Sequence, residues 1–277
     1  MASNDHVTPS VLPLLFKHQN TTVKPRARDY LVDGVAYPRV TTALGIISKP
    51  ALVGWAVRVA LDDVTAILLS PDVGAEIGLA FEESPESYKG FVSKLIERAR
   101  KGPADKRDER AGSGTEIHQL IQSILATPTA VRHIPWANVP MEQRASVEAA
   151  FDFLADYGIE VCDSERVVWS PEHKIAGTID GVGFIDGQLV IWDWKTSAKI
   201  YWETALQLSA YAQLLKELTG QEVTAAYAVR LPRPGDETTY GVKAISAENL
   251  VKGWATYRSS LSLHQGSKHK WWEEKDE

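Results

Sequence analysis

Asp180, Asp193 and Lys195 lie within residues 176–197, the stretch of this chain best suited to chemistry. Asp186-Gly187 separates two apolar runs there, which is a strong hairpin signal. A two-residue turn makes residues 179–184 run back against 189–194, and Asp180 then falls directly opposite Asp193. Like charges opposite each other destabilise a sheet, so this pairing asks for a counter-charge. A divalent cation is the natural one. Lys195 shares a face with Asp193, because side chains alternate along a strand. One hairpin thus offers two carboxylates and an ammonium to a single small volume. The competing reading is a solvated face with a scattered salt bridge, which would prevail for a bare D-x-K; the register weighs against it.

The other candidates lie on the elements that must surround this hairpin. Residues 115–125 read as a helix with Ile117, Leu120, Ile121, Ile124 and Leu125 on its core stripe, fed by a tight turn at Gly112 to Thr115. His118 sits beside that stripe, and on its own a structural histidine outweighs a ligand. No Lys-Ser/Thr follows Gly114, so this turn is not a phosphate-binding P-loop. Arg107 and Arg110, in a run of mixed charge, read equally as phosphate contacts or as a solvated helix end. Residues 165–169 read as a strand, which with the hairpin makes a three-stranded meander. Residues 203–218 read as a helix ended by Gly220, with Gln207 and Tyr211 on one face.

Upstream, residues 30–37 form a second hairpin about Asp33-Gly34, and Thr41 and Thr42 are placed to cap a short helix. Pro50 opens a helix over 51–69. A helix over 84–100 is expected to break at Gly102-Pro103, and another spans 141–157 with Gly158 as its C-cap. Downstream come strands over 223–231 and 239–245, then a helix over 247–264 capped by Ser246. Residues 1–28 read as an N-terminal arm. Residues 29–264 read as one domain, mostly helical over 29–160 with a core over 161–264. Residues 265–277 form a charged tail carrying Trp271 and Trp272, which either tuck onto the body or meet a partner. The order of elements suggests an α+β or α/β core with an extra helical layer.

Composition bounds the function. Hydrophobic residues make up 44% and charged residues 24% of the 277, ordinary values for a globular protein. Nothing approaches the ~20 apolar residues of a membrane span, and no secretory signal is visible. The single cysteine, Cys162, excludes a disulfide framework and a four-cysteine cluster. A reducing cytoplasm and no membrane partner are expected. A net charge of −6 argues against a coat of positive charge for non-specific nucleic-acid binding, but leaves room for a metal site with a local basic patch.

Taken together, Gly114-Thr115-x-x-His118, Gly177-Thr178-Ile179-Asp180, Asp193-Trp194-Lys195 and Gln207-x-x-x-Tyr211 resemble the RecB-like branch of the PD-(D/E)xK nuclease superfamily. The set is similar to the stand-alone exonucleases of that branch from phages, mitochondria and CRISPR systems. Tyr37 to Thr42, followed by Lys49 to Leu52 and Trp55, resembles the N-terminal segment of the phage-type members. The resemblance implies a restriction-endonuclease-like α/β core, a central mixed β-sheet flanked by helices, with an N-terminal helical layer. It makes Asp180 and Asp193 metal-binding carboxylates, with the Trp194 carbonyl completing the shell. Lys195 would position the attacking water and stabilise charge on the phosphate. His118 becomes the extra ligand that marks the branch, and Gln207 and Tyr211 hold substrate, with Thr115 and Arg110 beside them. Glu165 matches an acidic position less securely, as an outer-shell ligand or an ordinary surface glutamate. The cofactor implied is Mg²⁺ or Mn²⁺, without the iron–sulfur cluster of some relatives.

The expectation is a metal-dependent DNA nuclease, an exonuclease on single strands or ends, in replication, recombination or repair. A recombinase or helicase partner would fit that role. The nine tryptophans offer stacking surface for unpaired bases, though most belong to the core. The alternatives are a non-catalytic nucleic-acid-binding or assembly subunit and a site-specific endonuclease on the same fold.

Overall fold

The computed structural model describes residues 20–47, 50–126, 134–233, 236 and 239–269. Residues 1–19 of the expected arm, and Trp271 and Trp272 in the tail, lie outside them. The chain divides into two compact units, one of residues 1–47 and 117–277, the other of residues 48–116.

The first unit is built on a mixed five-stranded sheet. Its strands are β4 (Glu160–Ser170), β5 (Ile175–Ile185), β6 (Gln188–Lys195), β7 (Ala225–Arg230) and β8 (Gly241–Ser246), in the spatial order of the sequence. β4, β5 and β6 form the expected antiparallel meander. β7 runs parallel to β6 and β8 antiparallel to β7. The β6–β7 crossover is α6 (Glu203–Thr219), because parallel neighbours cannot be joined by a tight turn. The turn between β5 and β6 is as expected. Asp186 and Gly187 have φ of 50° and 75°, the left-handed pair a type I′ turn demands, and Gly181 pairs with Trp192 in the matching register.

Each face of the sheet has its own core. On one side α6 and α7 (Ala247–His269) supply Leu208, Leu214, Leu215, Leu218 and Tyr257. On the other, α5 (Arg144–Asp156) and the last turns of α4 (Pro85–Leu125) supply Val147, Phe153, Ile117, Ile121 and Ile124. β6 serves both: Leu189 and Ile191 join the first core, Trp192 and Trp194 the second. The Phe153 ring meets Trp194 edge-on at 5.7 Å. Gly158 ends α5 with φ of 59°, and Ile159 N–H reaches back to the Leu154 carbonyl at 2.9 Å. A small sheet of β1 (Val23–Pro25), β2 (Asp29–Val32) and β3 (Val35–Pro38) packs on the first core. Its Asp33-Gly34 turn has positive φ at both positions, as the sequence predicts. α1 (Val40–Leu44) follows, with Thr41 and Thr42 inside it and not as caps. Tyr257 O–H donates to the Val40 carbonyl at 3.0 Å.

Gly181 is required by close packing. A Cβ there would lie 1.9 Å from the ring of Trp192, which is fully buried. Overpacking a closed core costs ~1–3 kcal/mol. Gly181→Ala is therefore expected to lower unfolding stability by about 3 kcal/mol in urea, whereas Gly74→Ala, where the space is open and the backbone helical, should lower it not at all and raise it by up to about 1 kcal/mol.

The second unit consists of α2 (Pro50–Leu68), α3 (Pro71–Glu83) and most of α4. Two expected interruptions are absent: α4 runs through Gly102-Pro103 and through Gly112 to Thr115 without a turn. Gly102 marks a close approach, since a Cβ would lie 2.3 Å from Asp63 Oδ2 on α2. Lys106 pairs with that same Asp63 at 2.9 Å. Contacts on both sides of Pro103 thus oppose the ~3 kcal/mol a proline costs inside a helix. At the other end, the Ile117, Ile121 and Ile124 stripe holds the segment helical through the glycines.

Candidate active site

Three neighbouring strands bring three carboxylates into one row. Gly181 pairs with Ser164 on one side and Trp192 on the other, and Ile179 pairs with Arg166. Asp180 therefore stands between Glu165 and Asp193. None of the three forms a regular antiparallel ladder pair across this row. Glu165 has φ of 52°, a left-handed conformation that costs a non-glycine residue ~1–3 kcal/mol and clusters at functional sites. It sits in an 11-residue strand that begins five residues earlier than expected, with a register shift between Val161 and Asp163. The strained backbone lies at one end of the acidic row, next to Asp180.

His118 approaches from α4, its Nδ1 3.4 Å from Asp180 Oδ2. His118, Glu165 and Asp180 each present a ligand atom, all within 4.8 Å of one another. Asp180 Oδ2 also accepts the Trp194 N–H at 2.7 Å, which ties the row to β6. Trp194, whose carbonyl is the expected ligand, also donates this amide, and its indole is buried in the second core.

Asp193 is nearly inaccessible, at 2% exposed. Lys195 Nζ pairs with Asp193 Oδ2. Gln207, one turn into α6, bridges the pair. Its Nε2 donates to Asp193 Oδ1 at 2.8 Å and its Oε1 accepts from Lys195 Nζ at 3.2 Å. Gln207 Nε2 also reaches the Tyr211 hydroxyl at 3.2 Å. Tyr211 lies against β5 because Gly177 has no side chain: a Cβ there would come within 2.4 Å of the ring. Beside it, Tyr30 on β2 and Thr178 share a hydrogen bond of 2.6 Å between their hydroxyls. Nothing in the sequence signals this contact between residues so far apart.

The electrostatics follow from burial and crowding. Burial, then repulsion from Asp180, pushes Glu165 up to about 7. Burial raises Asp193 to about 6, although Lys195 pulls the other way. Burial disfavours the charged forms of His118 and Lys195, but carboxylates outweigh it: Asp180 and Asp193 raise both above their ordinary values. Lys195 therefore stays an ammonium. Burial, with the negative charge around it, holds Tyr211 well above 10 as a neutral hydroxyl.

Among the described side chains, one expected residue does not join this network. Thr115 lies on α4 three residues before His118, exposed, with its hydroxyl donating to the Ala111 carbonyl at 2.9 Å. Arg110 is on the same helix, and its side chain lies outside the described residues.

Three carboxylates face one ammonium and one imidazole, which leaves uncompensated negative charge. Hard oxygen donors with one nitrogen suit a small divalent cation. Glu165, raised first by burial and then by Asp180, would gain from such a cation a partner for its charged form. The residues present thus fit a divalent metal.

No curated protein matches the chain. A solved structure titled "Crystal structure of SSO0001" aligns at 16% identity over 60% of this chain and 75% of that one, with a TM-score of 0.27, a likeness too loose to build on. A family model of the PD-(D/E)XK nuclease superfamily matches residues 82–268, which include every member of the network except Tyr30. The chain belongs to the PD-(D/E)XK nuclease superfamily, whose members use divalent metals to cleave DNA.

Proposed function

We propose that this protein is a Mg²⁺- or Mn²⁺-dependent deoxyribonuclease of the RecB-like, phage-type branch, acting as an exonuclease on single-stranded DNA or DNA ends. The observation that carries the reading is the acidic row Glu165, Asp180 and Asp193, with His118 at one end and the Lys195–Gln207 bridge at the other. The branch assignment rests on His118, the ligand that marks it, and on the Gln207 and Tyr211 pair.

His118, Glu165, Asp180 and Asp193 would hold the metal, which when bound supplies an acidified water and Lewis acidity at the phosphate. The protein's own groups do the rest. Asp180 is fixed by the Trp194 amide, so its carboxylate cannot swing away from the row. Lys195 presents a permanent positive charge to the developing charge on the phosphoryl oxygens and to the attacking water. Gln207 holds the ammonium and the Asp193 carboxylate in one orientation, and Tyr211 holds Gln207. Such pre-set positioning contributes most when it is already present before substrate arrives. An end-acting nuclease of this kind serves replication, recombination or repair in the cytoplasm, alongside a recombinase or helicase.

The test is digestion of end-labelled linear single- and double-stranded DNA with Mg²⁺ or Mn²⁺, and with EDTA. Mononucleotide release from linear DNA, abolished by EDTA, is the expected result, with covalently closed circles left intact. Cleavage of closed circles at fixed positions would replace the exonuclease with a site-specific endonuclease. No hydrolysis under any condition would leave a non-catalytic DNA-binding subunit.

A further inference from the structure

β6, which ends at Lys195, and α6, which carries Gln207, are joined by a short segment, residues 196–202, whose side chains divide into two kinds. Ile200 packs against the first core and pins the segment. On either side of it, Lys199, Tyr201 and Trp202 are exposed. Trp202 is 60% exposed, the most of any tryptophan among the described residues, and Tyr201 is 42% exposed. By contrast Trp169, Trp192 and Trp194 are buried. Exposure here is not looseness. The Ser197 hydroxyl donates to the Lys199 carbonyl at 2.8 Å, and the Tyr201 and Trp202 carbonyls accept the first amides of α6 at 3.0 Å. Among the described residues, the Lys199 ammonium, the Tyr201 hydroxyl and the Trp202 indole have no partner in the protein. Trp202 precedes Gln207 by five residues, about 7–8 Å along the helix axis. Two exposed aromatic side chains on a hydrogen-bonded backbone, with a free cation beside them, therefore adjoin the network that holds Lys195.

We infer that Tyr201 and Trp202 form a stacking platform for unpaired bases of the DNA strand entering the site, with Lys199 on its phosphate. Base–aromatic stacking tolerates any sequence, because every base has a π-face, and it requires bases freed from a duplex. The platform would select frayed ends and single strands, and so deepens the reading proposed above, on which it rests. Phosphate contacts alone would not make that selection, since both duplex and single strand present them.

The experiment compares fluorescence anisotropy of labelled oligothymidylate and of an abasic oligonucleotide of equal length, in Ca²⁺ without turnover. The unmodified chain is expected to bind the base-bearing strand at least tenfold more tightly. Trp202→Ala, and more so Tyr201→Ala/Trp202→Ala, should lose about tenfold on oligothymidylate and almost nothing on the abasic strand, with Trp202→Phe restoring most of the difference. Unchanged oligothymidylate affinity in the double variant would overturn the platform, as would an equal loss on both strands. Linear DNA digestion by the unmodified chain is measured alongside, so that a failed platform in an active nuclease is distinguished from a failed nuclease assignment.

Discussion

Asp193→Asn and Lys195→Ala are each expected to reduce DNA hydrolysis by about 10²–10³-fold, with linear DNA and saturating Mg²⁺ or Mn²⁺. The size follows from what each group does. A pre-organised charge aimed at developing transition-state charge contributes roughly 10²–10³ in rate, and Asp193 lies in the acidic row itself. Loss of activity alone would not separate chemistry from folding, because the two groups form a largely buried pair. Removing one partner leaves the other uncompensated, which costs on the order of 3 kcal/mol. The double variant Asp193→Asn/Lys195→Met removes both charges and should recover much of that stability without recovering activity. Urea unfolding and a linear-substrate assay on all three proteins check this. If the double variant regained both stability and cleavage, the pair would be structural. Gln207 sharpens the expectation: asparagine keeps the acceptor that Gln207 Nε2 needs at Oδ1, so the single variant tests charge, not packing.

The sequence makes the β5–β6 hairpin legible because everything that sets it is local. Asp186-Gly187 fixes the turn, the turn fixes the register, and that register, paired as far as Gly181 and Trp192, brings Asp180 to Asp193. The same reasoning does not extend to Glu165. β4 and β5 are joined through residues 171–174, a longer connection with Lys174 in a left-handed conformation, and β4 carries a register shift. No rule about two-residue turns predicts which residue then faces Asp180. His118 is undecidable locally for a similar reason: its partner is on another element, and only the fold brings Asp180 to 3.4 Å. The helix interruptions at Gly102-Pro103 and Gly112 to Thr115 fail differently. Intrinsic propensity argues for a break, but α2 packing against α4 within the helical unit, and the isoleucine stripe beyond it, override a weak local preference. Gly181 looks like a mere strand glycine in the sequence and Gly177 only like part of a motif; each is there because an aromatic ring lies where a Cβ would be.

Glu165→Gln is expected to stabilise the metal-free protein at neutral pH while abolishing its response to divalent metal. In the folded state Glu165 titrates at about 7, above its ordinary value near 4.5. Between those values the folded protein holds more protons than the unfolded chain, so stability falls as pH rises through the window. Asp193, raised to about 6, and His118, also raised, act in the same direction. In EDTA, the unmodified protein should therefore lose stability steadily from about pH 4.5 to above 7. The amide that replaces the Glu165 carboxyl carries no charge, so the variant should lose less over the upper part of that range. Water reaches Glu165, so the gain at pH 8 is discounted to about 1 kcal/mol. Metal reverses the ranking. An ion binding only the folded state at a hundred times its dissociation constant adds ~2.7 kcal/mol. In the unmodified protein that gain should be larger at about pH 8, where Glu165 is ionised, than at about pH 5.5. In Glu165→Gln it should be small at both. Thermal melts at these two pH values, with EDTA and with Mn²⁺, read all of this without relying on activity. Equal pH slopes in the two metal-free proteins would mean that the left-handed residue of β4 does not carry the uncompensated charge. A metal shift preserved in the variant would move the site to Asp180, Asp193 and His118 alone. The expected pattern makes Glu165 a residue held in an unfavourable conformation and an unfavourable ionisation state, both of them costs to the fold that metal binding offsets.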